Sequence, residues 1–387
     1  MCCFACMKQT KKIAVLGAGM VGSTIAVDLA KHFSVTSFDI NSANLHALKK
    51  RETGISIVEA NLLNYAGYAE LLKDFDIVVS AVPGFMGFKT LETLIGLKKN
   101  VADISFFPED ALSLNRLAKQ NSVTAIVDCG VAPGMSNLIL GYHDEKMKVK
   151  AFHCMVGGLP KTRIAPFEYK APFSPIDVIE EYTRPARYME NGFIVTRPAL
   201  SDVESVDLHP AGTLESFNTD GLRSLLITMS HIPDMKEKTL RYPGHVKLIE
   251  AFKKAGMFSV KPVSINGREI IPIEFTSALL FDQWKLEPNE KEFTIMKITL
   301  KGEDKDGRVT IDYMLYDEND TETGFSSMSR TTGFTCAAAA HLISEKRFSE
   351  HGVFPPELVG AKEECFDFII KYLERRGVIY QVTVSRS

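Results

Sequence analysis

Residues 12–39 read KIAVLGAGMVGSTIAVDLAKHFSVTSFD. The apolar run 13–16 leads into Gly17-Ala18-Gly19-Met20-Val21-Gly22, after which Val21, Ile25, Ala26 and Leu29 recur at helical spacing. A second β-like run, 34–38, ends on Asp39. Strand, glycine turn, helix, strand and acid in this order make a dinucleotide-binding unit. Gly17 permits the tight turn because positive φ costs it little. Gly19 lets the backbone approach a pyrophosphate, and Gly22 lets the helix lie close to the strand. Met20 and Val21 open a helix whose unpaired N–H groups and partial positive charge suit phosphates. Asp39, 20 residues after Gly19, can accept both adenosine-ribose hydroxyls and would repel a 2′-phosphate. The expected cofactor is therefore NAD rather than NADP, with Ile40 beside the ribose. Lys49, Lys50 and Arg51 are the nearby residues that favour some NADP tolerance.

Working outward, β-like and helical segments alternate through residues 13–128. Strands are expected at 55–59, 77–80, 100–104 and 124–128, and helices at 43–50, 68–73, 88–97 and 111–120. Such crossovers build a doubly wound sheet, with ligands outside the carboxyl ends of its strands. Asn61 and Leu62 follow the third strand, where an adenine edge is held. Ala81, Val82 and Pro83 leave the fourth strand, Asp103 ends the fifth, and Asp128 follows the sixth, so all can border one crevice.

Beyond residue 134 the pattern changes to β-like runs at 149–156, 193–196, 213–217, 293–300 and 309–316, with helices at 136–142, 221–229, 245–254 and 273–284. Alternation in residues 293–300 suggests a sheet with one wet face. The fold class is thus α/β: an N-terminal Rossmann doubly wound parallel sheet plus an α+β second domain with a mixed or antiparallel sheet. The expected division is a tail (1–11), a nucleotide domain (12–134, completed by the Ala-rich segment 325–350), a substrate and dimerisation domain (135–324), and a C-terminal helix and strand (351–387).

Composition bounds the function. The 387 residues are 45% hydrophobic, enough for two domains with sizeable cores. A net charge of −3 and a pI near 6.3 argue against nucleic acid as the main partner. No apolar run is long enough to span a bilayer, and the start, MCCFACMKQTKK, lacks the h-region of a signal peptide. The expectation is a cytoplasmic protein without a membrane partner. Seven cysteines are scattered; Cys3 and Cys6 form a C-x-x-C with no second pair, so no metal is expected.

Several further motifs carry a family resemblance. Ser80-Ala-Val-Pro-Gly84, Asp128-Cys-Gly-Val-Ala-Pro-Gly-Met-Ser-Asn137, Gly157-Gly-Leu-Pro-Lys161 and Thr239-Leu-Arg-Tyr-Pro-Gly-His245 join the glycine turn in an order that resembles the saccharopine dehydrogenase superfamily. Glu181-Tyr-Thr-Arg-Pro-Ala-Arg187, Asp220-Gly-Leu-Arg-Ser224 and the run 325–335 are most similar to its lysine 6-dehydrogenase branch. The resemblance covers residues 12–360. It implies NAD-dependent oxidation of the ε-amino carbon of L-lysine to an imine. Water then releases ammonia and the 6-semialdehyde, which cyclises to a piperideine carboxylate.

That chemistry asks for an arginine fork on the substrate carboxylate and a tuned proton acceptor. Arg223 and Arg241 are the candidates for the carboxylate, with Gly158 beside the substrate; Arg184 and Arg187 suit a lid or a subunit contact. Asp128, His245 and Lys161 are candidates for the acid–base role, and Cys129 fits packing better than nucleophilic chemistry. Two other readings stand. One is a saccharopine or carboxynorspermidine dehydrogenase or reductase; the other is a non-catalytic, NAD-responsive binding protein. An open sheet in the second domain also predicts a homodimer or higher homo-oligomer.

Overall fold

The computed structural model describes residues 11–172, 175–287 and 290–386. Cys3 and Cys6 lie outside the described residues. The chain folds as two compact units, 1–129 with 336–354 and 130–335 with 355–387. The change of unit falls at residue 129, five residues before the glycine at which the sequence pattern changes. The return begins within helix Ser327–Ser344.

The first unit is built on seven parallel strands. Strands β1 (Lys12–Leu16), β2 (Ser34–Asp39), β3 (Ser56–Glu59), β4 (Ile77–Ser80), β5 (Asn100–Asp103) and β6 (Thr124–Ile126) lie in the order 3-2-1-4-5-6. The short strand Gly352–Phe354 closes the sheet beside β6. Residues 13–16 and 77–80 are wholly buried, which is why these strands read as continuous apolar runs rather than alternating ones. Helix Met20–Ala30 crosses from β1 to β2, and Asn41 caps helix Ser42–Arg51 by accepting the N–H groups of Ala43 and Asn44. The order reverses between β1 and β4, the switch point at which ligands bind in such sheets.

The second unit is a mixed nine-stranded sheet. Its main path runs through Glu204–Leu208, Gly212–Asn218, Asp234–Arg241, Lys148–Pro160, Glu292–Asp304, Gly307–Glu318 and Tyr380–Arg386. Only the Asp234–Arg241 and Lys148–Pro160 pair in that path is parallel. An aromatic core contains Phe167, Tyr169, Tyr182, Phe217 and Trp284. The expected helix 221–229 is reduced to Leu225–Thr228. Arg223 stands before it at φ 45°, a left-handed conformation that an α-helix cannot include.

Candidate functional site

In the first unit the glycine turn has the geometry its spacing predicts. Gly17 adopts φ 104°, and a Cβ there would lie 2.5 Å from the carbonyl oxygen of Ala81, in the loop leaving β4. A Cβ on Gly22 would collide with the Gly17 carbonyl, so the helix can start only this close to the turn with glycine. Gly19 faces open space within 4 Å, and no side chain caps helix Met20–Ala30. These first N–H groups, at Met20 and Val21, have the chemistry to hold a pyrophosphate.

Asp39 closes the turn from the side. Its Oδ2 accepts the Ala18 N–H at 2.6 Å and its Oδ1 accepts the Asn41 N–H at 2.8 Å, so the carboxylate is fixed while each oxygen keeps acceptor capacity. Ile40 is exposed beside it, and Asn61 is exposed above buried Leu62 at the end of β3. Lys49, Lys50 and Arg51 sit in the last turn of helix Ser42–Arg51, roughly 12 Å along its axis from its start near Asp39. Lys49 is already donating to the carbonyls of Thr53 and Ile55.

Two carboxyl groups stand at the neighbouring strand ends. Asp103 is fully buried; one oxygen accepts the Ser105 hydroxyl at 2.8 Å, and Ser105 Oγ lies 3.3 Å from Ser80 Oγ. Its other oxygen has no hydrogen-bond partner among the described residues. Burial pushes its pKa up to about 7 against the lowering effect of both hydroxyls, and the Asp128 charge adds to the rise. Asp128 is 5% exposed and held at φ 52°. Cys129 next to it is buried, and burial raises its thiol well above the usual range, so it is an inert packing group. The Ser80–Ser105–Asp103 hydroxyl chain is the part of this site that motif reading missed. Its signal is a serine at one strand end and a serine two residues beyond the neighbouring strand's acid.

In the second unit Arg241 is 2% exposed and extensively engaged. Its Nη2 donates to Glu181 at 2.7 Å, Nε to the Tyr182 hydroxyl at 3.0 Å and Nη1 to the Leu240 carbonyl at 2.9 Å. The guanidinium lies 4.4 Å from the centre of the Tyr169 ring. His245 Nδ1 lies 2.8 Å from the Phe167 carbonyl, which only accepts, so Nδ1 carries the hydrogen. Nε2 therefore receives the Tyr182 hydroxyl at 3.0 Å. Burial and then the Arg241 cation pull the imidazole pKa down to about 3. A ring so placed has no free lone pair for a substrate proton.

The other candidates fall in different settings within this unit. Arg223 is half-buried in its left-handed conformation. Gly158 sits where a Cβ would meet Pro172 and Met328 at 2.6 and 2.7 Å. Lys161 pairs with Glu318, Arg184 with Glu180, and Arg187 makes two hydrogen bonds to the Asp220 carboxylate. Among the described residues no three His, Cys, Asp or Glu side chains group as a metal site, and no helix is long and apolar enough to cross a membrane.

Comparison with known proteins matches this architecture domain by domain. Residues 13–126 match the saccharopine dehydrogenase NADP binding domain and residues 130–378 the saccharopine dehydrogenase C-terminal domain. The alpha-aminoadipic semialdehyde synthase of Rattus norvegicus is 21% identical over 97% of this chain and 48% of its own length. The chain thus spans about half the length of that relative. The carboxyaminopropylagmatine dehydrogenase of Synechocystis is 22% identical over 89% of this chain and 92% of its own. The glutamate-forming, NADP-linked saccharopine dehydrogenase of Saccharomyces cerevisiae is 25% identical over 70% of this chain and 63% of its own. The solved apo structure of the L-Glu-forming yeast enzyme superposes with a TM-score of 0.78 at 21% identity, covering 97% of this chain and all of that one. That superposition shares the parallel nucleotide sheet and the mixed second sheet.

Proposed function

Because the chain belongs to the saccharopine dehydrogenase family, we propose that it is an NAD-dependent dehydrogenase that oxidises the ε-amino carbon of L-lysine. The substrate loses a hydride and a proton to become an imine. Water then adds, ammonia leaves, and the 6-semialdehyde remains. NAD, when bound, supplies the hydride acceptor.

The protein's part is to bind, orient and manage protons. The Gly17–Gly22 turn with the N–H groups of Met20 and Val21 takes the pyrophosphate. Asp39 takes the ribose hydroxyls, with Ile40, Asn61 and Leu62 along the adenine side, and Ala81, Val82 and Pro83 border the crevice at the switch point. Asp103 and Asp128 stand at the ends of adjacent strands beyond it. Asp128 is the candidate proton acceptor, and Asp103 next to it is a carboxyl able to change charge near neutral pH. Arg223 is the better candidate for the amino-acid carboxylate. It is half-buried and held in a strained backbone conformation of the kind that gathers at binding sites. Arg241 is already committed to Glu181, Tyr182 and the Leu240 carbonyl.

The observation that carries this reading is the fixed Asp39 carboxylate, which favours NAD although the matching family model is described as NADP-binding. NAD suits an amine-oxidising direction. The names of the relatives favour a second reading, a dehydrogenase of a secondary amine joining two carbon skeletons. Following NADH absorbance with L-lysine, saccharopine and carboxynorspermidine, each with NAD and with NADP, separates them. Turnover of lysine with NAD is expected. Turnover of saccharopine without lysine would replace the first reading by the second, and dinucleotide binding without any turnover would leave a non-catalytic binding protein.

A further inference from the structure

Glu357 is a fully buried carboxyl of the second unit, carried on the short helix Pro356–Gly360. Pro355 and Pro356 preset the backbone where that helix starts. Two glycines bring it against helix Met135–Asp144. A Cβ on Gly360 would lie 2.1 Å from the Leu138 carbonyl oxygen, and one on Gly141 would lie 2.0 Å from the Glu357 carbonyl oxygen. The two backbones touch directly, so the place of Glu357 is set by main chain and not by side chains that could repack.

The carboxyl reaches two segments that carry sequence motifs, the one ending at Asn137 and the one ending at Ser224. Glu357 Oε2 accepts a hydrogen bond from Asn137 Nδ2 at 3.0 Å. That contact turns the Asn137 Oδ1 toward the Ser136 hydroxyl at 3.0 Å and the Gly134 N–H at 3.4 Å, where helix Met135–Asp144 begins. Glu357 Oε1 lies 2.6 Å from Thr228 Oγ1, which in turn lies 2.9 Å from the Ser224 carbonyl oxygen. The Thr228 hydroxyl has one hydrogen and the carbonyl only accepts. Both contacts are satisfied when that hydrogen goes to the carbonyl and a protonated Glu357 donates to Thr228. Burial, the largest influence on Glu357, raises its pKa and so favours this state.

Thr228 closes helix Leu225–Thr228, a single turn too short to hold itself. Arg223 stands two residues before that helix, at φ 45°. A strained backbone of this kind persists only where its surroundings fix it. On the reading of Arg223 as the partner of the substrate carboxylate, we propose that Glu357 is the positioning residue of that arginine. Through Thr228 it clamps the turn that sets the Arg223 backbone, and through Asn137 it ties that turn to the start of helix Met135–Asp144. Glu357 is itself fully buried, so it acts through Arg223 and does not meet the carboxylate.

Steady-state kinetics on variants of the full chain test the role, with L-lysine and NAD, or with saccharopine if that is the amine turned over. Thr228→Val removes the hydroxyl at nearly the same shape. It should raise KM at least about fivefold, with kcat and the Kd for NADH unchanged. In an Arg223→Ala background the same change should have no further effect on KM, because Thr228 acts through that arginine. Glu357→Gln can still donate to Thr228 and accept from Asn137, and should keep the wild-type KM. Glu357→Ala should raise KM as Thr228→Val does; if it does not fold, the Thr228 and Gln variants decide. An unchanged KM in Thr228→Val, an equal increase with and without Arg223, or a raised KM in Glu357→Gln would overturn the positioning role. A wild-type KM in Arg223→Ala alone, or no turnover of either amine, would instead overturn the carboxylate reading of Arg223, and the positioning role with it.

Discussion

The backbone N–H of Ala18, inside the glycine turn, donates a 2.6 Å hydrogen bond to the Asp39 carboxylate at the end of the next strand. One contact therefore holds the turn and fixes the carboxylate proposed to read the ribose. Replacing Asp39 by Ser removes the charge that opposes a 2′-phosphate. Asp39→Ser is expected to raise the Kd for NADH and lower that for NADPH, moving the ratio at least about tenfold. Fluorescence titration with both nucleotides checks it, and an unchanged ratio would remove Asp39 from cofactor selection.

The glycines of the turn should fail in different ways. Gly17→Ala must place a Cβ against the Ala81 carbonyl at a positive φ, and should cost roughly 1–3 kcal/mol of stability. Gly19→Ala meets no neighbour within 4 Å at an ordinary φ of −69°. It should melt like the wild type yet bind NADH more weakly, because its methyl enters the path of the pyrophosphate. Thermal melts beside nucleotide titrations separate the two effects.

Arg241 and Arg223 should likewise separate. Glu181→Ala leaves the buried Arg241 cation without its carboxylate partner, a loss of roughly 3–5 kcal/mol, read in urea unfolding. Arg223→Ala should raise the KM for lysine more than tenfold, about 1.4 kcal/mol or more of carboxylate binding, with little change in kcat. An unchanged KM would exclude Arg223 from the substrate.

His245 supplies a pH test. Its folded pKa is held down at about 3, by burial first and then by Arg241, below the unfolded value. A depressed histidine contributes stability that is present above the unfolded pKa and lost as pH falls from about 6.5 toward 3. His245→Gln should reduce the acid sensitivity of urea unfolding between about pH 7.5 and 4.5, roughly one unit above and two below the unfolded value. Equal pH slopes in both proteins would contradict the assignment.

What could be read from the sequence was local. The Gly17–Gly22 turn, Asp39 and the strand ends lie within short spans whose spacing forces their geometry. The helix His245–Lys254 was legible from periodicity alone. Strand Asp234–Arg241 was not, because Lys236, Glu237 and Lys238 break any apolar alternation although residues 235 and 237–241 are buried. The Arg241–Glu181 pair joins residues 60 apart, beyond the reach of any periodicity, so Arg241 reads as an available fork when it is in fact satisfied. Residues 221–229 have helical spacing that the left-handed Arg223 defeats. Strand Gly352–Phe354, three residues long, gives no pattern at all. The Asn266-Gly267 hairpin did carry a strong turn signal, in a stretch too short and polar to register as paired strands.

In the proposed reaction, hydride leaves the ε-carbon of lysine for NAD. L-Lysine deuterated at that carbon, incubated with the protein and NAD, tests it directly, with mass spectrometry of the reduced nucleotide as readout. Deuterated NADH, formed together with ammonia, is the predicted result. Unlabelled NADH, or no reduction with lysine while saccharopine is turned over, would contradict it.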